Sequence, residues 1–390
     1  MNEADLRARL RAAPVPSPSD AEERGWHVVR AGFEARPAVR RERSRGRWLI
    51  AIAVGLLLLA LGLSPAGAKV VDVIKDVTGI GKENARPALT SLPAEGRVLV
   101  TTGHAVWVVN DDGSKRRLGA YRDAVWSPRG LFVAVTHGRA LSAVEPDTGT
   151  VHWSISRRRP VSDPAWAPSG YRVAYLAGHE LRVVAGDGSA DRLLVPRVSR
   201  TPPVWLPNPN RNLLTYVDRR GVVRLIDVDS GAGLWHTPAF VNGPVKLTWS
   251  SDGRRLLVFT RSFFVVLNEN GRAVFKGAGH GARAAAFVPG GSRLAMVRTA
   301  LGRSRLVLFK PSFQRPAERT LYSGPGRFAD VQWAPDSSRL LVTWPDADQW
   351  LFVRPQDGHV DAVANISRQF APGAKGPTEF PDVTGWCCTP

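Results

Sequence analysis

A repeat of about forty residues constrains the fold of this chain more than any other feature. In each copy a large aromatic residue ends a short apolar run, and a turn rich in Pro, Gly and Ser leads into a second apolar run, as in "DAVWSPRGLFVAV" at 123–135. The anchor aromatics lie 38 to 46 residues apart: Trp126, Trp166, Trp205, Trp249, Phe287 and Trp333. A period near forty residues with about four short strands in each copy predicts the blades of a β-propeller.

The turn after each anchor explains the small and rigid residues of the repeat. Trp126 closes a strand, where its ring can wedge between neighbouring blades. Pro128 lacks the N–H that a further ladder hydrogen bond needs, so the strand ends there. Gly130 supplies the backbone angle that the turn requires. The sequence therefore predicts a strand, a turn and a strand around every anchor.

The number of blades follows from the two ends of the repeat region, 97–390. Six anchors begin six blades, and residues 97–119 supply the three later strands of another blade whose first strand is missing. The segment "FPDVTGWCCTP" at 380–390 resembles "FADVQWAP", with Trp386 near the anchor place after a one-residue insertion. We therefore expect an all-β, seven-bladed β-propeller closed by the C-terminal strand. The rival is an open six-bladed ring with a tail.

Residues 48–68 contain no charged side chain and are long enough to cross a bilayer core of about 30 Å as a helix. Six arginines and one glutamate lie in the preceding segment, 36–47, which places the N-terminus in the cytoplasm and the propeller outside. The alternative is a signal peptide cleaved after Ala68. The expected order is a cytoplasmic segment, a single transmembrane helix, an amphipathic helix with a linker at 69–96, and the propeller.

The cytoplasmic segment, residues 1–47, is expected to form two short helices or a loosely ordered basic tail. On the second helix Trp26, Val29 and Phe33 fall on one stripe at helical spacing. Two helices of this size cannot bury such a stripe by themselves. These three residues are therefore candidates for binding a cytoplasmic partner.

The charge and the cysteines limit the partners and the cofactors. The formal net charge of +19 suggests acidic partners, or arginine spread over a solvated surface. No arginine cluster is interleaved with stacking aromatics, which argues against nucleic acid. Cys387 and Cys388 are adjacent, so we expect two free thiols or one reactive thiol, and the alternative is a strained vicinal disulfide. The histidines are scattered singly, and we expect no zinc site, no other metal and no cofactor.

Two sets of polar residues recur at equivalent blade positions. Three aspartates precede their anchors by three residues: Asp123, Asp163 and Asp330. They are candidates to hold a cation or an amine near the channel, or else to bond the backbone of an adjacent blade. Three histidines recur near the hairpin between the second and third strands: His104, His137 and His179. They either converge on one rim or are ordinary polar turn residues.

The pattern W-S/A-P-x-G-x-x-L-A/V resembles the TolB-type and WD-repeat-like propellers of bacterial envelopes, over roughly residues 97–390. The resemblance implies the fold and leaves the function open, because propellers serve many tasks. The stretches 144–153 and 226–235 are also similar to the tryptophan-docking repeat of pyrroloquinoline-quinone-type propellers. In both, a turn and an inter-blade wedge explain the residues that carry the similarity: Asp147, Gly149, Trp153, Asp229, Gly231 and Trp235.

No nucleophile elbow, P-loop or H-E-x-x-H motif occurs in the sequence. We therefore expect a non-enzymatic, membrane-anchored extracytoplasmic propeller that binds a protein, peptide or cell-wall ligand in a bacterial envelope. The first alternative is a transmembrane regulator whose layout looks like that of membrane anti-sigma factors, although that family's zinc-binding His and Cys pattern is missing. The second alternative is a quinoprotein-like propeller enzyme.

Overall fold

The computed structural model describes residues 85–388 apart from 104, 242, 261, 279–280, 313–315 and 375. This part of the chain forms seven four-stranded antiparallel sheets, with one short 3₁₀ turn at Pro345–Ala347 and one short helix, α1, at Ile366–Gln369. The predicted all-β, seven-bladed propeller is therefore confirmed. The predicted N-terminal helices and the span at 48–68 lie outside the described residues. Within 85–388, none of the helical segments has the length and apolar character needed to cross a membrane.

In six blades the four strands follow chain order from the channel to the outer edge. In blade 1 the innermost strand is the C-terminal strand, and the other three follow it in chain order. Blade 1 contains β28 (Asp382–Cys387), β1 (Arg97–Thr102), β2 (Ala105–Val109) and β3 (Lys115–Gly119). Blade 2 contains β4 (Ala124–Trp126), β5 (Val133–His137), β6 (Ala140–Val144) and β7 (Val151–Ser156). Blade 3 contains β8 (Val161–Trp166), β9 (Arg172–Ala177), β10 (Glu180–Ala185) and β11 (Arg192–Val195).

The remaining four blades follow the same order. Blade 4 contains β12 (Val204–Trp205), β13 (Leu213–Val217), β14 (Val222–Asp227) and β15 (Gly233–Ala239). Blade 5 contains β16 (Pro244–Trp249), β17 (Arg255–Thr260), β18 (Phe263–Asn268) and β19 (Ala273–Ala278). Blade 6 contains β20 (Ala282–Phe287), β21 (Leu294–Ala300), β22 (Arg303–Lys310) and β23 (Ala317–Pro325). Blade 7 contains β24 (Val331–Trp333), β25 (Leu340–Trp344), β26 (Gln349–Val353) and β27 (Val360–Ala364).

The C-terminal strand closes the ring. Strand β28 pairs antiparallel with β1, and Trp386 lies opposite Val98. The register shifts between Leu99 and Val100, so a bulge absorbs the extra residue that precedes Trp386 relative to the other anchors. The innermost strands then contact one another in sequence around the channel, from β28 through β4 to β24 and back to β28.

The hydrophobic core lies between the blades. The second strands, such as β5 and β13, are buried along nearly their whole length because both faces of each sheet are covered. The fourth strands are largely exposed, as in β7 and β11, since they form the outer edge of the propeller. This arrangement explains why the middle strands are apolar along their length, whereas the outer strands mix apolar and polar residues.

The antiparallel strands give the propeller two distinct faces. The turn face carries the turns that join the first strand to the second and the third to the fourth. The loop face carries the hairpins between the second and third strands and the loops that lead to the next blade. Arg86 forms a parallel bridge with Val363, so the described chain begins at the outer edge of blade 7.

Candidate functional site

The anchor aromatics hold neighbouring blades together. All seven are buried: Trp126, Trp166, Trp205, Trp249, Phe287, Trp333 and Trp386. The indole of Trp205 donates a hydrogen bond to the carbonyl of Ala165 in the preceding blade at 2.9 Å, and Trp333 donates to Ala286 at 3.1 Å. Trp249 donates to the hydroxyl of Thr215, also in the preceding blade, at 2.9 Å. Their place in the structure is that of inter-blade wedges.

The repeated aspartates bond the backbone and the side chains around them. Oδ2 of Asp123 accepts from the hydroxyl of Thr136 at 2.8 Å and from the backbone N–H of Asp163 in the next blade at 3.3 Å. Asp330 accepts from the N–H of Val331 at 2.9 Å and from the side-chain amide of Gln332 at 3.1 Å. The contact of Asp123 with blade 3 matches the alternative in which a carboxylate bonds the backbone of an adjacent blade, whereas the two contacts of Asp330 lie within its own blade.

The same carboxylates gather on the loop face, at the mouth of the channel. Burial raises the pKa of Asp163, and the nearby carboxylate of Asp123 raises it further. Burial also raises the pKa of Asp382, with the carboxylates of Asp330 and Glu379 adding to it. Asp382 was not among the predicted aspartates, although the alignment of "FPDV" with "FADV" places it at the position of Asp330. The mouth of the channel is therefore negatively charged on the side of blades 1, 2, 3 and 7.

A lysine from the far side of the ring reaches this acidic group. Nζ of Lys246, in the innermost strand of blade 5, lies 3.8 Å from Oδ1 of Asp330. Among the described residues no three His, Cys, Asp or Glu side chains are arranged to hold a metal ion. The lysine neutralises part of the acidic charge.

Two of the three repeated histidines contact carbonyl groups of nearby loops. Nδ1 of His137 lies 2.6 Å from the carbonyl oxygen of Ala120, and Nδ1 of His179 lies 3.1 Å from that of Val198. Both are on the loop face, in blades 2 and 3. His104 lies outside the described residues, as do the candidate partner-binding residues Trp26, Val29 and Phe33.

The two tryptophans of the docking-like repeat pack on the turn of the following blade. Trp153 donates its indole N–H to the carbonyl of Gly186 at 2.8 Å, and Trp235 donates to Glu269 at 2.8 Å. A Cβ added to Gly188 would lie 2.7 Å from the ring of Trp153, so glycine is required for this close approach. The structure therefore places both tryptophans as inter-blade wedges.

The turn face carries an apolar surface beside Trp153 that the sequence analysis did not identify. A cavity of about 640 Å³ lies between blades 2 and 3 and is lined by Phe132, His152, Trp153 and Tyr171. A second cavity of about 400 Å³ shares Phe132 and Tyr171 and also contacts Leu131. Leu131 is 61% exposed and Tyr171 is 78% exposed. We call Leu131, Phe132, Trp153 and Tyr171 the aromatic surface.

A signal for the aromatic surface was present in the repeat itself. Leu131 and Tyr171 directly follow the turn glycine of their blades. The corresponding residues of blades 5, 6 and 7 are polar: Arg254, Ser292 and Ser338. Large apolar residues in an exposed turn cannot contribute to the core, so their presence in two adjacent blades leaves an apolar surface in contact with solvent.

The two cysteines correct one expectation from the sequence. The structure joins Cys387 and Cys388 in a disulfide, where we expected two free thiols. Cys387 is still paired with Arg97 in the sheet, whereas Cys388 has left the strand with a positive φ of 42°. This change of chain direction brings the two sulfur atoms together.

Comparisons with known proteins show the fold. No protein family matches the chain, and no curated protein matches it. A chain of the solved structure titled "Crystal Structure of Mitotic Checkpoint Complex" is 14% identical, with a TM-score of 0.53 and coverage of 67% of this chain and 87% of that chain. A chain of Kuenenia stuttgartiensis hydrazine synthase is also 14% identical, with a TM-score of 0.47 and coverage of 59% and 75%. The former likeness shows the propeller fold alone.

Proposed function

We propose that this protein is a non-enzymatic binding scaffold in a bacterial envelope, with a TolB-like propeller held outside the cytoplasmic membrane by residues 48–68. The partner is a protein that docks on the aromatic surface of the turn face. Attachment to the membrane is supported by the uncharged span at 48–68 and the arginine-rich segment before it. The envelope part is supported by the resemblance of the blade pattern to propellers of bacterial envelopes.

The observation that carries the binding role is the exposure of the aromatic surface. Single exposed apolar residues are ordinary, but Leu131 and Tyr171 lie beside two adjoining cavities that also contact Phe132. Both cavities are within the size range of about 300–1,000 Å³ that is usual for ligand sites. Aromatic rings bury a large area on binding and lose little conformational entropy, which is why they dominate protein interfaces.

The non-enzymatic part of the proposal is supported by what the repeated polar groups already do. Asp123 accepts hydrogen bonds from its own and the following blade, Asp330 accepts them within its own blade, and His137 contacts a loop carbonyl. Groups engaged in this way stabilise the ring. The quinoprotein alternative was suggested by the docking-like repeat, whose Trp153 has a structural role as a wedge against the next blade.

A crosslinking pull-down from native membranes tests the proposal. The full-length protein is compared with a Leu131→Ser/Tyr171→Ser variant, which places at both turns the residue that blades 6 and 7 already have there. The matched control is Leu301→Ser, since Leu301 is fully exposed on the loop face of blade 6. We expect an envelope protein to be captured by the unaltered chain and by the control, and to be lost in the double variant. Capture that is unchanged in the double variant would refute the role of the aromatic surface.

The regulator alternative is tested in the same experiment with a chain that lacks residues 1–44. If this truncation abolishes capture of a cytoplasmic transcription factor, the N-terminal stripe formed by Trp26, Val29 and Phe33 is the working part. If the captured partners are unchanged and come from the envelope, the N-terminal segment acts only as an anchor.

A further inference from the structure

The loop face carries a third cavity, also at the junction between blades 2 and 3, and its lining is charged. It has a volume of about 530 Å³ and is lined by four arginines and one glutamate: Arg157, Arg158, Arg159, Arg182 and Glu180. The first three belong to the loop that leads from β7 to β8, and the other two lie on β10. We call this the arginine cavity.

A buried network holds two of these arginines in place. Asp191 has a side chain only 10% exposed, and its Oδ2 lies 2.6 Å from Nη2 of Arg157 and 2.5 Å from Nη2 of Arg182. The buried hydroxyl of Tyr175 donates to Asp191 and accepts from Nε of Arg157 at 2.8 Å. Burial, together with the Asp191 carboxylate, raises the pKa of Tyr175 to about 12, so the hydroxyl stays protonated and the network persists through the neutral range.

The network leaves some N–H groups of both arginines without a partner in the described part of the chain. A guanidinium group has five N–H donors. Arg157 uses three of them, on Tyr175, Asp191 and the carbonyl of Ser156. Arg182 also uses three, two on Asp191 and one on Glu180. Each therefore keeps two donors, and its plane is already fixed.

Arg158 adds a cation that nothing nearby neutralises. Its side chain is exposed and makes no ion pair or hydrogen bond with any residue in the described part of the chain. Arg159 is only loosely paired, with Nε 3.9 Å from Oε1 of Glu180. Four arginines against the carboxylates of Glu180 and Asp191 leave a surplus of two positive charges at this cavity.

We propose that the arginine cavity binds a phosphate monoester group. At pH 7 such a group carries a charge of about −2, which matches the surplus, and it offers three acceptor oxygens. Planar guanidinium groups bind phosphate through paired N–H donors, and donors fixed in advance cost less entropy on binding. The volume leaves room for the organic group attached to the phosphate, which is either a small soluble molecule or a lipid headgroup. The cavity lies on the face opposite the aromatic surface, so the two proposals can fail independently.

Binding of phenyl phosphate to the full-length protein in detergent micelles, measured by calorimetry in about 0.15 M salt, tests the inference. Phenyl sulfate has a similar shape and one charge fewer. We expect saturable binding of phenyl phosphate that is at least about tenfold tighter than that of phenyl sulfate, because the charge surplus matches a dianion. Arg158→Gln should weaken phenyl phosphate binding by about tenfold or more without changing the thermal unfolding midpoint.

The matched control is Arg220→Gln, which removes the same charge from an exposed arginine on the loop face of blade 4, away from the cavity. This variant should bind phenyl phosphate within about twofold of the unaltered protein, because at this salt concentration the screening length is about 8 Å. Equal weakening by both variants would overturn the proposal, since net charge alone would then explain the binding. Equal affinity for both probes would also overturn it, because the cavity would not distinguish a dianion from a monoanion, and so would the absence of saturable binding.

The carrier of the phosphate is identified with vesicles of phosphatidylcholine with or without phosphatidic acid. Vesicles that bind only when they contain phosphatidic acid, and that compete with phenyl phosphate, make a lipid headgroup the ligand. Phenyl phosphate binding without vesicle binding makes the ligand a soluble ester. Both results support a phosphate site.

Discussion

The two ends of the junction between blades 2 and 3 differ completely in chemistry, although the same strands build both. On the turn face Phe132, Trp153 and Tyr171 form an apolar surface, and on the loop face Arg157 and Arg182 line a charged cavity. Between the two faces, the second strands β5 and β9 are largely buried and restricted to residues that pack. The turns and loops are exposed and can vary without cost to the core. We therefore place both proposed binding sites near the two rims of the propeller.

The junction between blades 4 and 5 shows which part of this arrangement is general. Trp235 packs on the next blade there as Trp153 does at the junction of blades 2 and 3. On the loop side Arg224 of blade 4 lies opposite Tyr216 as Arg182 lies opposite Tyr175, at the junction between blades 3 and 4. Its Nε lies 2.9 Å from Oδ2 of Asp218. The tryptophan wedge thus recurs as a structural element, whereas the Asp191 network with two arginines belongs to blades 2 and 3.

The largest effect should come from removing the strand that closes the ring. Deleting residues 382–390 takes away β28, the innermost strand of blade 1, and opens the ring between blades 7 and 2. We expect loss of cooperative thermal unfolding, because the anchor Trp386 and its inter-blade contacts disappear as well. Circular dichroism during heating measures this. A truncated chain with an unchanged midpoint would contradict the closed ring.

A smaller effect, confined to the turn face, should follow from Gly188→Ala. The new Cβ would meet the ring of Trp153 at 2.7 Å, and φ is +86°. The control is Gly149→Ala, with φ of +78° and no atom within 4 Å of the new Cβ. Because both variants share the backbone strain, the extra destabilisation in Gly188→Ala measures the ring contact, and we expect about 1–3 kcal/mol in denaturant unfolding. Equal losses would show that Trp153 can move aside.

On the loop face Tyr175→Phe removes the hydroxyl that links Asp191 to Arg157. We expect a loss of about 1–3 kcal/mol of stability, because buried groups lose a partner, and weaker binding of phenyl phosphate. Tyr216→Phe is the control, since Tyr216 has the same position in blade 4 and its hydroxyl makes no hydrogen bond within the described residues. It should change stability by no more than about 0.5 kcal/mol. Similar losses in both variants would remove the evidence for a special network.

The smallest effect should be a shift of stability with pH at the channel mouth. The pKa of Asp163 is raised, so its ionised form destabilises the fold at neutral pH, and that cost vanishes below the unfolded value of 3.8. Asp163→Asn should therefore raise the thermal midpoint at pH 7, and the gain should disappear near pH 3. Asparagine tolerates the positive φ of 53° at this position.

The turn face carries an aspartate, Asp187, whose pKa is shifted in the opposite direction. The hydroxyl and the backbone N–H of Ser189 lower the pKa of Asp187. Its contribution to stability is present above the unfolded pKa and is lost as the pH falls through the folded pKa. Asp187→Asn should therefore lower the midpoint slightly at pH 7. Shifts of the same sign in both variants would contradict the assigned pKa directions.

Much of the architecture could be predicted because the repeat is local. Each anchor, the turn after it and the following strand are contiguous in the chain. The roles of Trp126, Pro128 and Gly130 can therefore be predicted without knowing which residues lie near them in the folded protein. The repeat also predicted that the C-terminal strand pairs in the N-terminal blade, and the bulge at Leu99 and Val100 accommodates the expected insertion. The predicted state of Cys387 and Cys388 was wrong, because the bend after β28 depends on the sheet that ends there.

The sequence by itself determined the number of blades, the closure of the ring and the wedge positions, because a repeating pattern of apolar runs and turns encodes them blade by blade. Only the tertiary structure decided which residues form the aromatic surface and the arginine cavity. Arg157, Tyr175, Arg182 and Asp191 belong to four separate segments of blades 2 and 3, and antiparallel pairing and blade packing bring them together. The physical reason is that such clusters depend on distances between strands, which no local pattern specifies.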